Sequence, residues 1–223
     1  MLYMLTKRVV GSVARAVYRP QVIGAENVPA DGPLILAVNH LSVADSFIVP
    51  LVVPRPVAFL AKAEYFQGRG LKNRLTANVF GALGAIPVER GRGRAAKEAL
   101  SAAENVLAEG GAFGIHPEGT RSPDGRLYRG RTGVARLALR SGAPVVPVAL
   151  SGTDRLLPKG AKFPRLTRVA VRFGEPLEFS RYSGMEGSLP VLRSITDEIM
   201  YAISELSEQE YVDRYQSPSA AAA

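Results

Sequence analysis

The chain has 223 residues, 47% of them apolar and 22% charged, which is enough to close one well-cored domain and too apolar for a disordered chain. It has no cysteine and only two histidines, His40 and His116, so disulfides, thiolate nucleophiles and a histidine-rich metal centre are excluded. The net charge is +8, but residues 175–223 alone carry −6, which leaves +14 on the rest and calls for an anionic partner: nucleic acid, an acidic membrane or a phosphorylated substrate.

Residues 1–19 set Leu2, Leu5, Val9, Val13 and Val17 near one helical stripe, with Lys7, Arg8, Arg15 and Arg19 and no acid. The basic residues interrupt any apolar run, so the segment is neither a span nor a cleaved signal. It reads as a basic amphipathic helix lying in a membrane interface, or as a helix covering the core; its charge favours the membrane. From Pro20 onward strands are expected at 21–23, 34–38, 57–60, 85–88, 112–115, 145–150 and 169–173. Helices are expected at 46–53, 71–83, 95–108, 134–140 and 189–207. Alternating strands and helices joined by short Gly/Pro loops predict an α/β fold: one layered domain with a mixed, mostly parallel sheet flanked by helices. The domain is set at 20–215, after the interfacial helix at 1–19, with a disordered tail at 216–223.

Several strand ends carry polar residues, where open α/β sheets bind ligands. After the strand 34–38 comes Asn39-His40-Leu41-Ser42-Val43-Ala44-Asp45. Asp45 can accept from one ring nitrogen of His40 and leave the other free to take a proton. The same residues also read as an S-x-x-D capping box, which needs no catalysis. Ser42 has no G-x-S-x-G elbow around it and is rejected as a nucleophile. After the strand 112–115 comes His116-Pro117-Glu118-Gly119-Thr120-Arg121-Ser122. Here Arg121 offers a fork for phosphate, and Glu118 can accept from hydroxyls or lock Arg121; a plain surface turn is the alternative. Ser122-Pro123-Asp124-Gly125 has the composition of a type I turn. Lys62 and Arg90 end two further strands, and Pro147 is read as a strand edge or a bulge. Together these ends present one base beside a cationic cradle.

The motifs at Asn39–Asp45, Gly84–Arg90, His116–Ser122 and around Pro147 resemble, in order, the four blocks of the glycerolipid acyltransferases, specifically the 1-acyl-glycerol-3-phosphate acyltransferases. His116 stands where a Phe or Tyr is commoner in that family, and the N-terminus leaves room for one interfacial helix rather than two. The resemblance implies transfer of a fatty acyl group from a thioester of coenzyme A or acyl carrier protein to lysophosphatidate, giving phosphatidate. It implies His40 as base and Asp45 as its orienting carboxylate. Lys62, Arg90 and Arg121 would bind the substrate phosphate, with Glu118, Gly119, Thr120 and Pro147 shaping the pocket. No metal and no resident cofactor is expected; the thioester is a co-substrate. The expected setting is an anionic membrane surface, on the cytoplasmic face of the cell membrane. Another lipid acceptor and an inactive membrane scaffold are the competing readings. A nucleic-acid-binding module is disfavoured because the basic stretch lacks interleaved aromatics. Oligomeric state is left open.

Overall fold

The computed structural model describes residues 18–63, 66, 81, 84–88, 94–161 and 163–216. Among them the elements run β1 (Gln21–Ile23), β2 (Leu34–Val38), α1 (Asp45–Val52), β3 (Val57–Lys62), β4 (Ala85–Val88), α2 (Arg94–Ala108), β5 (Ala112–Ile115) and β6 (Leu127–Tyr128). They continue with α3 (Gly133–Ser141), β7 (Val145–Ser151), α4 (Thr153–Leu156), β8 (Ala170–Phe173), α5 (Leu189–Ser207) and β9 (Tyr211–Val212). The expected helix 71–83, the segment 1–17 and the tail from 217 lie outside the described residues; Gln216 is buried.

All five residues of β2 are buried, because the sheet is covered on both sides and neither face of its central strand meets water. Ile35 and Ala37 join Phe113 and Val145 beneath α2, α3 and α5, which contribute Leu107, Leu137, Ile195 and Ile199. Leu34, Leu36 and Val38 face the other way, with Phe59, Val148 and Val49 of α1. Each fully buried Leu or Ile side chain is worth roughly 1.5–3 kcal/mol, so these two layers carry the fold.

The seven strands of the main sheet lie in the order β1-β8-β7-β2-β5-β3-β4. Every neighbouring pair is parallel except β7 with β8, so the sheet is mixed and mostly parallel, as expected. The chain leaves β2 through α1 to reach β3, and β5 later fills the position between them. The carboxyl ends of β2, β3, β5 and β7 therefore share one edge of the sheet.

Pro147 is not at a sheet edge. It lies in β7, between β8 and β2. The bulge reading does hold, because Val148 pairs with Phe173 while Val145 pairs with Leu177, setting two residues against three. The Pro147 carbonyl accepts from the Gly174 N–H at 2.9 Å, and the ring has no N–H to return. A Cβ on Gly174 would sit 2.8 Å from Pro147 Cγ and 2.9 Å from Leu206 Cδ1, so only glycine lets the strand bend here.

One small element is illegible by periodicity. β6 and β9 form a two-residue parallel pair that ties the chain after α5 to the segment after His116–Ser122.

Candidate active site

Asn39 fixes the exit from β2. Its Nδ2 donates to the Leu150 carbonyl at 3.0 Å and its Oδ1 accepts from the Leu150 N–H at 2.7 Å, so the amide side chain extends the ladder onto β7. Asn39 Nδ2 also donates to Gln209 Oε1 at 2.7 Å.

The loop after Asn39 folds around Asp45, which is fully buried at the start of α1. Asp45 Oδ2 lies 2.9 Å from His40 Nδ1 and accepts from the N–H groups of Leu41 at 2.7 Å and Ser42 at 2.8 Å. Burial pushes the Asp45 carboxyl up from its ordinary value, and those two N–H groups oppose the shift. Three donors converging on one oxygen suit a carboxylate. The Thr153 hydroxyl makes no hydrogen bond to it but lies close enough to favour the charge. With Nδ1–H held by Asp45, Nε2 is the ring nitrogen that carries the lone pair in the neutral imidazole. The capping-box reading holds in part: Asp45 reaches back to the Ser42 N–H, while Ser42 Oγ accepts from the Ala44 N–H at 3.3 Å, not from that of Asp45, and donates to the Leu157 carbonyl at 2.9 Å. One carboxylate therefore serves both the helix start and the histidine.

His116 stacks on His40, with ring centroids 3.8 Å apart and planes within 8°. Its Nδ1 donates to the Val38 carbonyl at 3.0 Å, which leaves Nε2 to accept from Ser46 Oγ at 3.2 Å. Burial, then the neighbouring His40, push the His116 ring down to about 3, so it stays neutral. Phe59 leans on the outer side of His116, at 5.6 Å between centroids. Gly114, paired with Phe59 across β5 and β3, makes the room: a Cβ there would fall 2.0 Å from Phe59 Cζ.

Glu118 does not lock Arg121. Its Oε1 accepts the His40 N–H at 3.0 Å and its Oε2 accepts the Tyr128 N–H at 3.0 Å, so its two oxygens brace two backbones. Burial pushes the Glu118 carboxyl up to about 7, against the pull of those two N–H groups. The His40 carbonyl accepts from the Ser122 N–H at 2.7 Å, so both backbone groups of His40 are held by the Glu118–Ser122 loop. The turn after it is closed by Ser122 Oγ, which accepts from the Gly125 N–H at 3.0 Å.

Arg121 is half-buried and makes no hydrogen bond or ion pair among the described residues; its neighbour Ser122 bonds the His40 carbonyl. Gly119 has φ +75°, and the space its side chain would take holds Arg131, whose Cδ and Nε come within 3.0 Å of an added Cβ. Thr120 is half-buried in the same loop. Lys62 ends β3 on the same edge of the sheet; its side chain, and the whole of Arg90, lie outside the described residues. Pro147 lies apart, packed against Gly174 on the opposite flank of β7. Among the described residues no group of acidic or histidine side chains is arranged to hold a metal.

The family profile described as Acyltransferase matches residues 19–151, which contain every strand end just described. The chain belongs to the acyltransferase family. It is 30% identical over 146 residues to a chloroplastic 1-acyl-sn-glycerol-3-phosphate acyltransferase of Brassica napus, covering 65% of this chain and 41% of that protein. It is 32% identical over 142 residues to a 1-acyl-sn-glycerol-3-phosphate acyltransferase of Borreliella burgdorferi, covering 64% of this chain and 55% of that one. The match thus spans about half or less of these relatives' length. Among solved structures, the 1-acyl-sn-glycerophosphate acyltransferase PlsC from Thermotoga maritima superimposes with a TM-score of 0.65 at 28% identity, covering 92% of this chain and 79% of that one.

The structure thus brings the His40–Asp45 loop and the Glu118–Ser122 loop together at the carboxyl edge of the sheet. Sequence reasoning missed the structural parts of His116, Asn39, Ser46 and Arg131. For His116 no local signal existed, because its stack on His40 depends on β5 lying beside β2.

Proposed function

We propose that this acyltransferase-family chain moves a fatty acyl group from a thioester of coenzyme A or acyl carrier protein to the free hydroxyl of 1-acyl-glycerol-3-phosphate, giving phosphatidate. The observation that carries the reading is the buried His40–Asp45 pair, 2.9 Å apart. His40 Nε2 takes the proton of the acceptor hydroxyl as its oxygen attacks the thioester carbonyl. Asp45 holds the tautomer and stabilises the imidazolium. The tetrahedral intermediate then collapses, the carbon–sulfur bond breaks, and the departing sulfur takes the proton from His40. The products are an ester and a thiol, with no acyl-enzyme and no metal.

Arg121, on the loop whose Ser122 bonds the His40 carbonyl, is the proposed phosphate ligand, with Lys62 and Arg90 as its proposed partners. A fork on the phosphate aims the hydroxyl at the base. Glu118, Gly119 and Thr120 shape the loop that carries it. Because no described helix is long and apolar enough to cross a membrane, the proposed attachment is peripheral, on the anionic cytoplasmic face of the cell membrane. The test is purified protein with lysophosphatidate, a long-chain acyl thioester and a thiol-trapping dye. His40→Ala loses about 10²–10⁴-fold in kcat while the fold survives. Wild-type turnover in that variant refutes the mechanism.

A further inference from the structure

Past β7, the sheet edge that carries His40 continues into a second feature that acyl transfer does not use. A cavity of about 580 Å³ opens there, lined by Tyr18, Arg19, Arg155, Leu166, Arg168 and Arg172 among others. Arg19, Arg155 and Arg168 are exposed and form no ion pair among the described residues. Between positions 151 and 172 the sequence has six cations against one acid, Asp154. Cations held together without acids repel one another, and an anionic partner relieves that cost.

Beside the cavity stand the most exposed large apolar side chains among the described residues, Leu166 at 83% and Phe163 at 81%. They are carried by the chain between α4 and β8, which is tied to its surroundings at several points. The Arg165 N–H donates to the Leu156 carbonyl at 2.7 Å, Val169 is buried, and Ser42 Oγ ties Leu157 to the His40 loop. Apolar tips ringed by arginines match the layering of a bilayer interface, acyl chains below and phosphates above. The chain also enters the domain on this face, since Tyr18 and Arg19 line the cavity and the basic segment 1–17 leads into them.

We infer that this face docks on a bilayer containing anionic phospholipid, with Phe163 and Leu166 entering the acyl-chain boundary and Arg19, Arg155 and Arg168 meeting headgroup phosphates. The inference rests on the reading that the acceptor is a membrane lipid, and it orients the molecule: the edge bearing His40 faces the bilayer that supplies it. A nucleic acid would use the arginines but gain nothing from an aliphatic tip such as Leu166.

The chain has no tryptophan, so Phe163→Trp places a single reporter at the tip. With vesicles of phosphatidylcholine and phosphatidylglycerol, its emission shifts to the blue and is quenched by brominated acyl chains. Arg155→Gln with Arg168→Gln weakens partitioning roughly 25-fold, about fivefold per charge. Phe163→Ser with Leu166→Ser weakens it at least roughly tenfold. A reporter that stays in water, two double variants that bind like the wild type, or a reporter that responds to duplex DNA and not to vesicles each overturns the inference. Transfer to a monomeric short-chain lysophosphatidate is unchanged in both double variants. A wild-type protein that docks but fails that transfer supports the surface and refutes the proposed chemistry instead.

Discussion

Glu118→Gln separates what the buried carboxylate does for stability from what it does for the base. The wild-type carboxyl titrates near pH 7 in the folded protein, against 4.5 when free. Between those values the unfolded chain has released its proton while the folded chain keeps it, so the Glu118 contribution weakens as pH rises through this window. The shift corresponds to about 3 kcal/mol, fully felt above pH 7 and absent below 4.5. Glutamine cannot titrate. The wild type should therefore gain about 3 kcal/mol on the variant between pH 8 and pH 4.5, or roughly 6–12 °C in Tm. His116 works in the opposite sense, since its unfolded ring takes a proton near 6.5 and its folded ring only near 3, which costs stability in acid. It is present in both proteins and cancels in the difference. Activity moves the other way. An amide has one acceptor oxygen for two N–H groups, so either His40 or Tyr128 loses its brace, at about 1–3 kcal/mol. A base displaced by a fraction of an ångström lowers kcat by about 10–10², with little change in the KM for the thioester. Denaturant melts of both proteins across pH 4.5–8, with kcat at each pH, make the check. Parallel stability curves would show that Glu118 is not the group in question.

Arg121→Lys keeps the charge and loses the fork, so the KM for lysophosphatidate should rise far more than that for the thioester, with a smaller fall in kcat; unchanged lysophosphatidate kinetics with damaged thioester binding would move the cradle to the other substrate. His116→Phe keeps the stack on His40 and should hold kcat within about tenfold, whereas His116→Ala opens a cavity costing about 2–4 kcal/mol and loses activity with it, read by Tm and kcat together. Gly114→Ala forces Phe59 aside and should cost about 1–3 kcal/mol in denaturant melts while lowering kcat through the displaced His116.

What could be read ahead of the coordinates was whatever the local chain decides. The run Leu34–Val38 declares a strand buried on both faces because both faces must be apolar. His40 and Asp45 are five residues apart around a helix start, so their contact needs no knowledge of the fold. Glu118 was misread because its partners are not neighbours in sequence: His40 is 78 residues away and its N–H leaves no mark in the side-chain pattern. The His40–His116 stack exists only because β5 inserts beside β2, a choice made by the whole sheet. Pro147 suggested an edge because proline weakens an interior ladder; the compensation comes from Gly174 and the extra residue opposite, both in the segment that follows β8. β6 and β9, two residues each, are too short to show any period.

The bond from Asn39 to Gln209 spans 170 positions of the chain, and it reaches onward, because the Gln209 amide donates to the Gly125 carbonyl. On a ribosome adding 5–20 residues per second, the exit from β2 is synthesised about 10–30 s before the residue that clamps it. Through that interval the loop of His40 and Asp45 stands without the strut that joins the β2 exit to the Gly125 turn. The loop that bears His40 and Asp45 is thus braced from far along the chain, and its exit from β2 is clamped only after the intervening helices and strands have been made.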